Sequence, residues 1–132
     1  MNNLIFRTQQ ELDALATDPA HGNKGVDKKG IAEREVGLAL EAKGEVCGLI
    51  RDPSGLADFI DQTGQKWDVK GFRSQHSVEK YSLEMALAHI QKSIDQNEYV
   101  MLDTREMVEH DIQELTNELI HRGLINKVKI WP

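Results

Sequence analysis

Apolar residues recur along this chain at two periods, and the places where the period changes divide it into helical and extended segments. Residues 31–43, IAEREVGLALEAK, hold one poor helix former, Gly37, and run into Gly44, a stop signal, so they predict a helix. At 3.6 residues per turn Val36, Ala39, Leu40 and Lys43 lie on or beside one face; Glu33 borders that face, and Glu35, four after Ile31 and four before Ala39, stands close to it. Leu83, Leu87, Ile90 and Ile94 predict a second long helix over 77–96, and Val108, Ile112, Leu115 and Leu119 a third over 105–122, closed by Gly123. Thr8 with Glu11 three positions on has the form of a capping box and starts a short helix over 8–16. Extended segments are expected at 45–51, 57–61 and 66–72, separated by Pro53-Ser54-Gly55 and by the turn 62–65, then at 99–102 and 128–131. The stretch 18–30, with one Pro and three Gly, reads as a loop.

This order predicts the α/β class, a central mixed sheet flanked by helices on both sides. The length of 132 residues suits a single compact domain, with 1–30 as an N-terminal helix-and-loop extension and 31–132 as the main body.

The candidate chemistry lies in the hairpin DFIDQTGQKWDVK, 58–70. Trp67 and Val69 alternate with Asp68 and Lys70, so a period of two sends the charged pair to one face and the apolar pair to the other. A tight turn at Gly64 brings Asp58 back toward the same end of the hairpin, giving two hard carboxylate ligands for Mg²⁺ or Mn²⁺ beside an ammonium. The plainer reading of a D-x-K triplet is an exposed edge with a cross-strand ion pair, the Lys discouraging edge-to-edge association. Glu33, or Glu35 in reserve, can bring a third carboxylate from the preceding helix, although the ordinary place for a helical Glu is a solvated face.

Taken in order, Glu33-Arg34, Val36, Leu40, Gly44, Asp58 and Trp67-Asp68-Val69-Lys70 resemble the PD-(D/E)XK nuclease core. They are similar in particular to the restriction-endonuclease-fold toxin modules at the C-termini of contact-dependent growth inhibition and other polymorphic toxins. The family pattern is a helix with E-x-x-V/A-x-x-x-L-x-x-x-G, a hairpin with D, then (D/E)-x-K. Ala57 stands where the family often has Pro, and Asp68 where Glu is common. The close match covers 31–73. The resemblance implies a divalent metal, Mg or Mn first and Zn as a further option, held by Glu33, Asp58 and Asp68, with Lys70 as the catalytic lysine. It implies hydrolysis of phosphodiester bonds in DNA or tRNA, export within a larger toxin, action in the cytoplasm of a target bacterium, and neutralisation by a cognate immunity protein. Two alternatives stay open: a housekeeping repair or restriction nuclease, and a non-catalytic nucleic-acid-binding domain of the same fold.

Charge changes this picture in one respect. A net charge of -6 argues against generic nucleic-acid binding, which draws its affinity from neutralising phosphates. The excess is uneven: Lys24, Lys28, Lys29, Arg34, Lys43, Arg51, Lys66, Lys70 and Arg73 populate the motif half, whereas acids dominate from Glu98 to Glu118. A local basic groove with Lys66 and Arg73 as substrate contacts is therefore expected, and the acidic stretch reads as a solvated helix face. His76 and Ser77, after the D-x-K strand, are weaker candidates for substrate contact. The one cysteine, Cys47, excludes an internal disulfide and a cysteine zinc site and is expected as a small core residue. The longest apolar runs are only a few residues, too short to span a membrane.

Overall fold

A computed structural model describes residues 6–19, 25–75 and 80–132. The chain divides into two compact units, Met1–Asp68 and Val69–Pro132. Among the described residues four α-helices and a five-stranded mixed sheet with strand order β1-β2-β3-β4-β5 establish the α/β class.

In the first unit, α1 (Gln9–Leu15) opens on the expected capping box: Thr8 Oγ1 accepts from Glu11 N–H, and the Glu11 side chain accepts from Thr8 N–H. Helix α2 (Lys28–Ala42) starts three residues earlier than the periodicity predicts, because Asp27 caps it by accepting from Gly30 N–H at 2.7 Å. It ends as expected, with Lys43 as cap and Gly44 at φ 76°. Its buried face is Gly30, Glu33, Val36, Gly37, Leu40 and Glu41, so two carboxylates go inside with the aliphatic stripe. Each meets an arginine. Arg7 grips Glu41 with two bonds of 2.7 and 2.6 Å, while Arg51 donates to Glu33 at 2.8 Å.

The expected strand 45–51 shrinks to β1 (Ile50–Arg51). Gly48 adopts φ 69°, and Leu49 N–H turns to the Glu41 carboxylate at 2.8 Å, which takes the segment out of extended pairing. Cys47 is correspondingly exposed, not a core residue. Strand β2 (Phe59–Ile60) pairs antiparallel with β1 and with β3 (Lys66–Gly71), with Phe59 opposite Trp67. Leu15, Ala16, Val36, Leu40, Val46, Leu49, Ala57, Phe59 and Trp67 form the buried apolar set of this unit. Helix α1 is tied to the rest of this unit: Arg34 donates to Leu12 O at 3.3 Å and Arg51 to Leu15 O at 3.3 Å.

The second unit is a β-α-β element preceded by a helix. Helix α3 (Leu83–Asp95) is shorter than the expected 77–96, because Ser82 is extended and caps Met85 N–H; His76, Ser77 and the start of the predicted helix lie outside the described residues. Strand β4 (Glu98–Asp103) pairs parallel with β5 (Val128–Trp131), and α4 (Glu109–His121) connects them. Helix α4 begins four residues late because the Asp103 carboxylate holds Arg105 through its backbone N–H and guanidinium, and Met107 N–H closes a turn onto Thr104 O. Its first turn carries Glu109 and Asp111, where negative charge complements the helix dipole. The acidic stretch is not wholly a solvated face, since Glu98 is buried. Val100, Met101 and Leu102 are all fully buried, so both faces of β4 are covered. The core joins Phe72, Ala86, Leu87, Ile90, Val100, Leu102, Met107, Leu115, Leu119 and Val128.

Gly30 fixes how closely α1 and α2 approach: a Cβ there would lie 1.8 Å from the Ala16 carbonyl oxygen, a backbone atom that cannot rotate away. Gly30→Ala should therefore destabilise the protein by about 1–3 kcal/mol or more. Gly64→Ala, in a turn at φ 87° with open space around it, should cost only about 1 kcal/mol. Denaturant unfolding of the two variants against the parent compares the costs.

Candidate functional site

The side chains that converge do so around Arg51, in the first unit. Its guanidinium is nearly enclosed, with 5 % of the side chain exposed. Nη2 lies 2.8 Å from Glu33 Oε1, 3.8 Å from Asp18 Oδ2 and 4.0 Å from Asp58 Oδ1. Nη1 reaches the carbonyl of Leu15, the last residue of α1 and therefore part of that helix's negative end. The planar group stacks over the Phe59 ring at 5.1 Å from its centroid. Nε is buried with no hydrogen-bond partner. One cation thus faces three carboxylates whose side chains are 6, 15 and 13 % exposed.

The local sequence explains the convergence. Glu33 is one α2 turn before Gly37, where a Cβ would meet Leu49 Cδ1 at 2.9 Å and Phe59 at 3.3 Å; the glycine lets the helix lie close to the hairpin. Asp58 N–H donates to Trp67 O at 3.0 Å although Phe59 is the residue opposite Trp67. Two residues against one is the pattern of a β-bulge, which breaks simple alternation just before β2 and re-aims the side chain there. Asp58 also closes the β1–β2 turn, its carbonyl accepting from Asp52 N–H at 3.1 Å.

Of the residues singled out by the sequence, Glu33 and Asp58 are brought onto one guanidinium. Asp58 also lies beside the peptide that joins Trp67 to Asp68. Asp68 and Lys70 follow on β3, both half-buried, with Trp67 buried between the hairpin strands. Glu35, the reserve acid, is exposed. Lys66 pairs with Asp52 at 3.6 Å, with 37 % of its side chain exposed. Arg73, in the second unit, makes an exposed ion pair with Glu106 at 2.9 Å. Both expected substrate contacts therefore already hold carboxylate partners. Sequence reasoning missed the centre itself: Arg51 had counted only as one more surface cation and Asp18 as loop. The available signal was two acids on the buried face of α2, which need matching cations.

Among the described residues no three His, Cys, Asp or Glu side chains form a group close enough to hold a metal ion by themselves. The carboxylates are spaced around the guanidinium. Their oxygen donors are directed at the guanidinium, and Arg51 is the cation they share. Beside it a cleft of about 530 Å³ is lined by Gln10, Asp13, Ala14, Thr17, Pro19, Arg51 and Pro53. In the second unit a smaller cleft of about 260 Å³ is lined by Phe72, Arg73, Lys80 and Tyr81 among others. Burial, with Asp111 and Glu114 nearby, pushes the Tyr81 phenol up to about 12, so it stays neutral at physiological pH.

No family model, no curated protein and no solved structure matches this chain. Among the described residues no helix is long and apolar enough to cross a membrane.

The turn beneath the site sets a pH dependence. Burial pushes the Asp52 carboxyl up, but hydrogen bonds from Ala57 N–H and from the hydroxyl and N–H of Ser54, with the Lys66 charge, outweigh it and hold the group below its ordinary 3.8. Asp61 is lowered in the same way, burial opposing and Thr63, Trp67 and Gln65 donors prevailing. A depressed folded pKa means that the unfolded chain binds the proton first on acidification. The stabilisation is full above the ordinary carboxyl value and is lost as pH falls through the depressed one. Asp52→Asn should therefore lower Tm at neutral pH and flatten its decline below about pH 4, measured as Tm against pH beside the parent.

Proposed function

We propose that the chain is a divalent-metal-dependent phosphodiesterase acting on nucleic acid, DNA or tRNA, of the PD-(D/E)XK type. One observation carries the reading. Glu33 from α2 and Asp58 from the hairpin, far apart in sequence, meet at one cationic centre, and the same hairpin continues through Asp68 to Lys70. The element order is the one the motif requires: an acidic helix, a hairpin, then the D-x-K strand. Glu33, Asp58 and Asp68 are the residues that would hold the metal, which when bound polarises a phosphate and lowers the pKa of water.

The chain's own groups have separate tasks in this reading. Burial of Glu33 keeps its carboxylate aimed inward, since little water competes for it. Lys70, an ammonium on the face of Asp68, orients the attacking water and offsets charge developing on the phosphate. Lys66, which keeps 37 % of its side chain exposed beside the buried Asp52, and Arg73, whose ion pair with Glu106 is exposed and exchanges readily, are the residues that would contact the substrate backbone. As a toxin module the chain would act in a neighbouring bacterium and be held inactive in its producer by an acidic immunity protein plugging the basic surface.

A non-catalytic domain of the same fold is the second reading, favoured by one observation: Glu33 already has a buried partner in Arg51. Cleavage of plasmid DNA and total tRNA with Mg²⁺, Mn²⁺ or chelator decides between them. Asp68→Ala and Lys70→Ala should each reduce cleavage by about 10² or more while Tm stays within a few degrees. Glu33→Gln should abolish cleavage and Glu35→Gln should leave it intact, because Glu33 faces inward and Glu35 outward. Activity without added metal in chelator, or full activity in Lys70→Ala, would exclude the nuclease reading.

A further inference from the structure

The cleft in the second unit offers donors that neither the fold nor the D-x-K motif uses. Its lining, Gly71, Phe72, Arg73, Lys80, Tyr81 and Met85, belongs wholly to that unit. Two of these described residues are cations and none is a carboxylate. Lys80 is exposed, and the Arg73 guanidinium is oriented by Glu106, which accepts from its Nε at 2.9 Å. The third polar group is Tyr81, whose hydroxyl is buried with no hydrogen-bond partner. A buried hydroxyl left unpaired is costly, and an acceptor brought by a ligand would recover that cost. Burial above all pushes this phenol up to about 12, so at physiological pH it keeps its proton and offers an O–H donor. Both walls of the cleft are held in place. Beyond Arg73, Ser74 N–H and Gln75 N–H donate to Glu106 O at 3.0 and 3.2 Å, the Gln75 amide donates to Met107 O at 3.2 Å, and Ser74 Oγ accepts from Val108 N–H at 2.8 Å. On the other wall Ser82 Oγ accepts from Met85 N–H at 3.1 Å and fixes the turn into α3, while Phe72 packs against Tyr81 with ring centroids 6.1 Å apart. Donors fixed before a ligand arrives need little ordering when it binds.

We propose that this cleft binds one phosphate group of a nucleic-acid strand, contacted by the Arg73 guanidinium, the Lys80 ammonium and the Tyr81 hydroxyl. This rests on the nuclease reading above and adds Lys80 and Tyr81 to the substrate contacts. Phosphate oxygens are acceptors only, and all three groups donate; the two cations make charge-assisted bonds and the phenol a neutral one. At about 260 Å³ the cleft is smaller than the roughly 300–1,000 Å³ that encloses a whole cofactor-sized ligand, which suits a single phosphate and the sugar it hangs from. Its lining begins at Gly71, the residue after Lys70 on β3, and Arg73 follows within about 10 Å of chain from Lys70. Neither Asp68 nor Lys70 lines it, so the phosphate held here is a neighbour of the scissile one.

The experiment is binding of a short fluorescently labelled single-stranded DNA to the full chain in EDTA, where no metal acts and nothing is cleaved, followed by anisotropy over a range of salt concentrations. The parent is compared with Arg73→Ala, Lys80→Ala, Tyr81→Phe and Arg122→Ala, the last removing a cation that does not line the cleft. Lys80→Ala and Arg73→Ala should each weaken binding by roughly tenfold and reduce the slope of log K against log salt by about 0.7, the share of one phosphate contact on a single strand. Tyr81→Phe should weaken binding by roughly fivefold with the slope unchanged, and its Tm without DNA should equal or exceed the parent's, because it deletes an unpaired buried hydroxyl. Arg122→Ala should bind as the parent does. No binding by the parent, the same loss in Arg122→Ala as in Lys80→Ala, or Tyr81→Phe with parental affinity or a lower Tm overturns the subsite. Inorganic phosphate bound as tightly as the strand overturns its assignment to nucleic acid. Cleavage is scored separately. Binding that depends on Lys80 and Tyr81 without cleavage under any metal removes the nuclease reading and keeps the subsite; cleavage that requires Asp68 but shows a parental KM in Lys80→Ala and Tyr81→Phe does the reverse.

Discussion

A single buried cation organises the first half of this molecule. The Arg51 guanidinium touches the end of α1 through Leu15, the middle of α2 through Glu33, and the hairpin through Asp58 and the Phe59 ring. These partners come from three different elements. Removing one member of a buried pair leaves an uncompensated charge, which costs about 3–5 kcal/mol. Packing of α1 on α2, and of α2 on the hairpin, therefore depends on charges that only the assembled unit can match. The glycines at 30 and 37 serve the same arrangement, since they bring the two helices and the hairpin near enough for short side-chain reach.

The second half is held by different physics. Its βαβ element buries an uninterrupted apolar strand, Val100-Met101-Leu102, of which Val100 and Leu102 join the aliphatic faces of α3 and α4. Fully burying a Leu, Ile or Val side chain stabilises by about 1.5–3 kcal/mol. The boundary between the two units falls inside β3, between Asp68 and Val69. The D-x-K motif thus spans the passage from a charge-organised region to an aliphatic one.

How much of this was legible in the sequence follows from those differences. The helices α3 and α4 and strands β4 and β5 were readable because periodicity reports aliphatic burial directly; it was chiefly the helix starts that moved, where the Ser82 cap and the Asp103–Arg105 turn delay them in a way no hydrophobic pattern announces. The capping box of α1 and the stop at Gly44 were likewise local and visible. Strand 45–49 failed because Gly48 takes φ 69° and the Glu41 carboxylate captures the Leu49 N–H, a contact between residues eight apart on different elements. Cys47 came out exposed for the same reason. Around Arg51, Glu33 and Asp58 were singled out through the motif resemblance, while Arg51 and Asp18 were not, because a strand arginine and a loop aspartate carry no periodic signal of being inside.

The link from Arg51 to Leu15 has a practical corollary. The recognisable motif runs from 31 to 73, yet the carbonyl at the end of α1, the Asp18 carboxylate and the Arg7 clamp on Glu41 all lie upstream of it. A fragment cut at the motif's edge would retain every residue of the motif and still lack two of the groups that hold Arg51 and the cation that pairs Glu41. The stretch that keeps this charged shell intact is consequently larger than the 31–73 motif, and it begins ahead of the first helix, at Arg7.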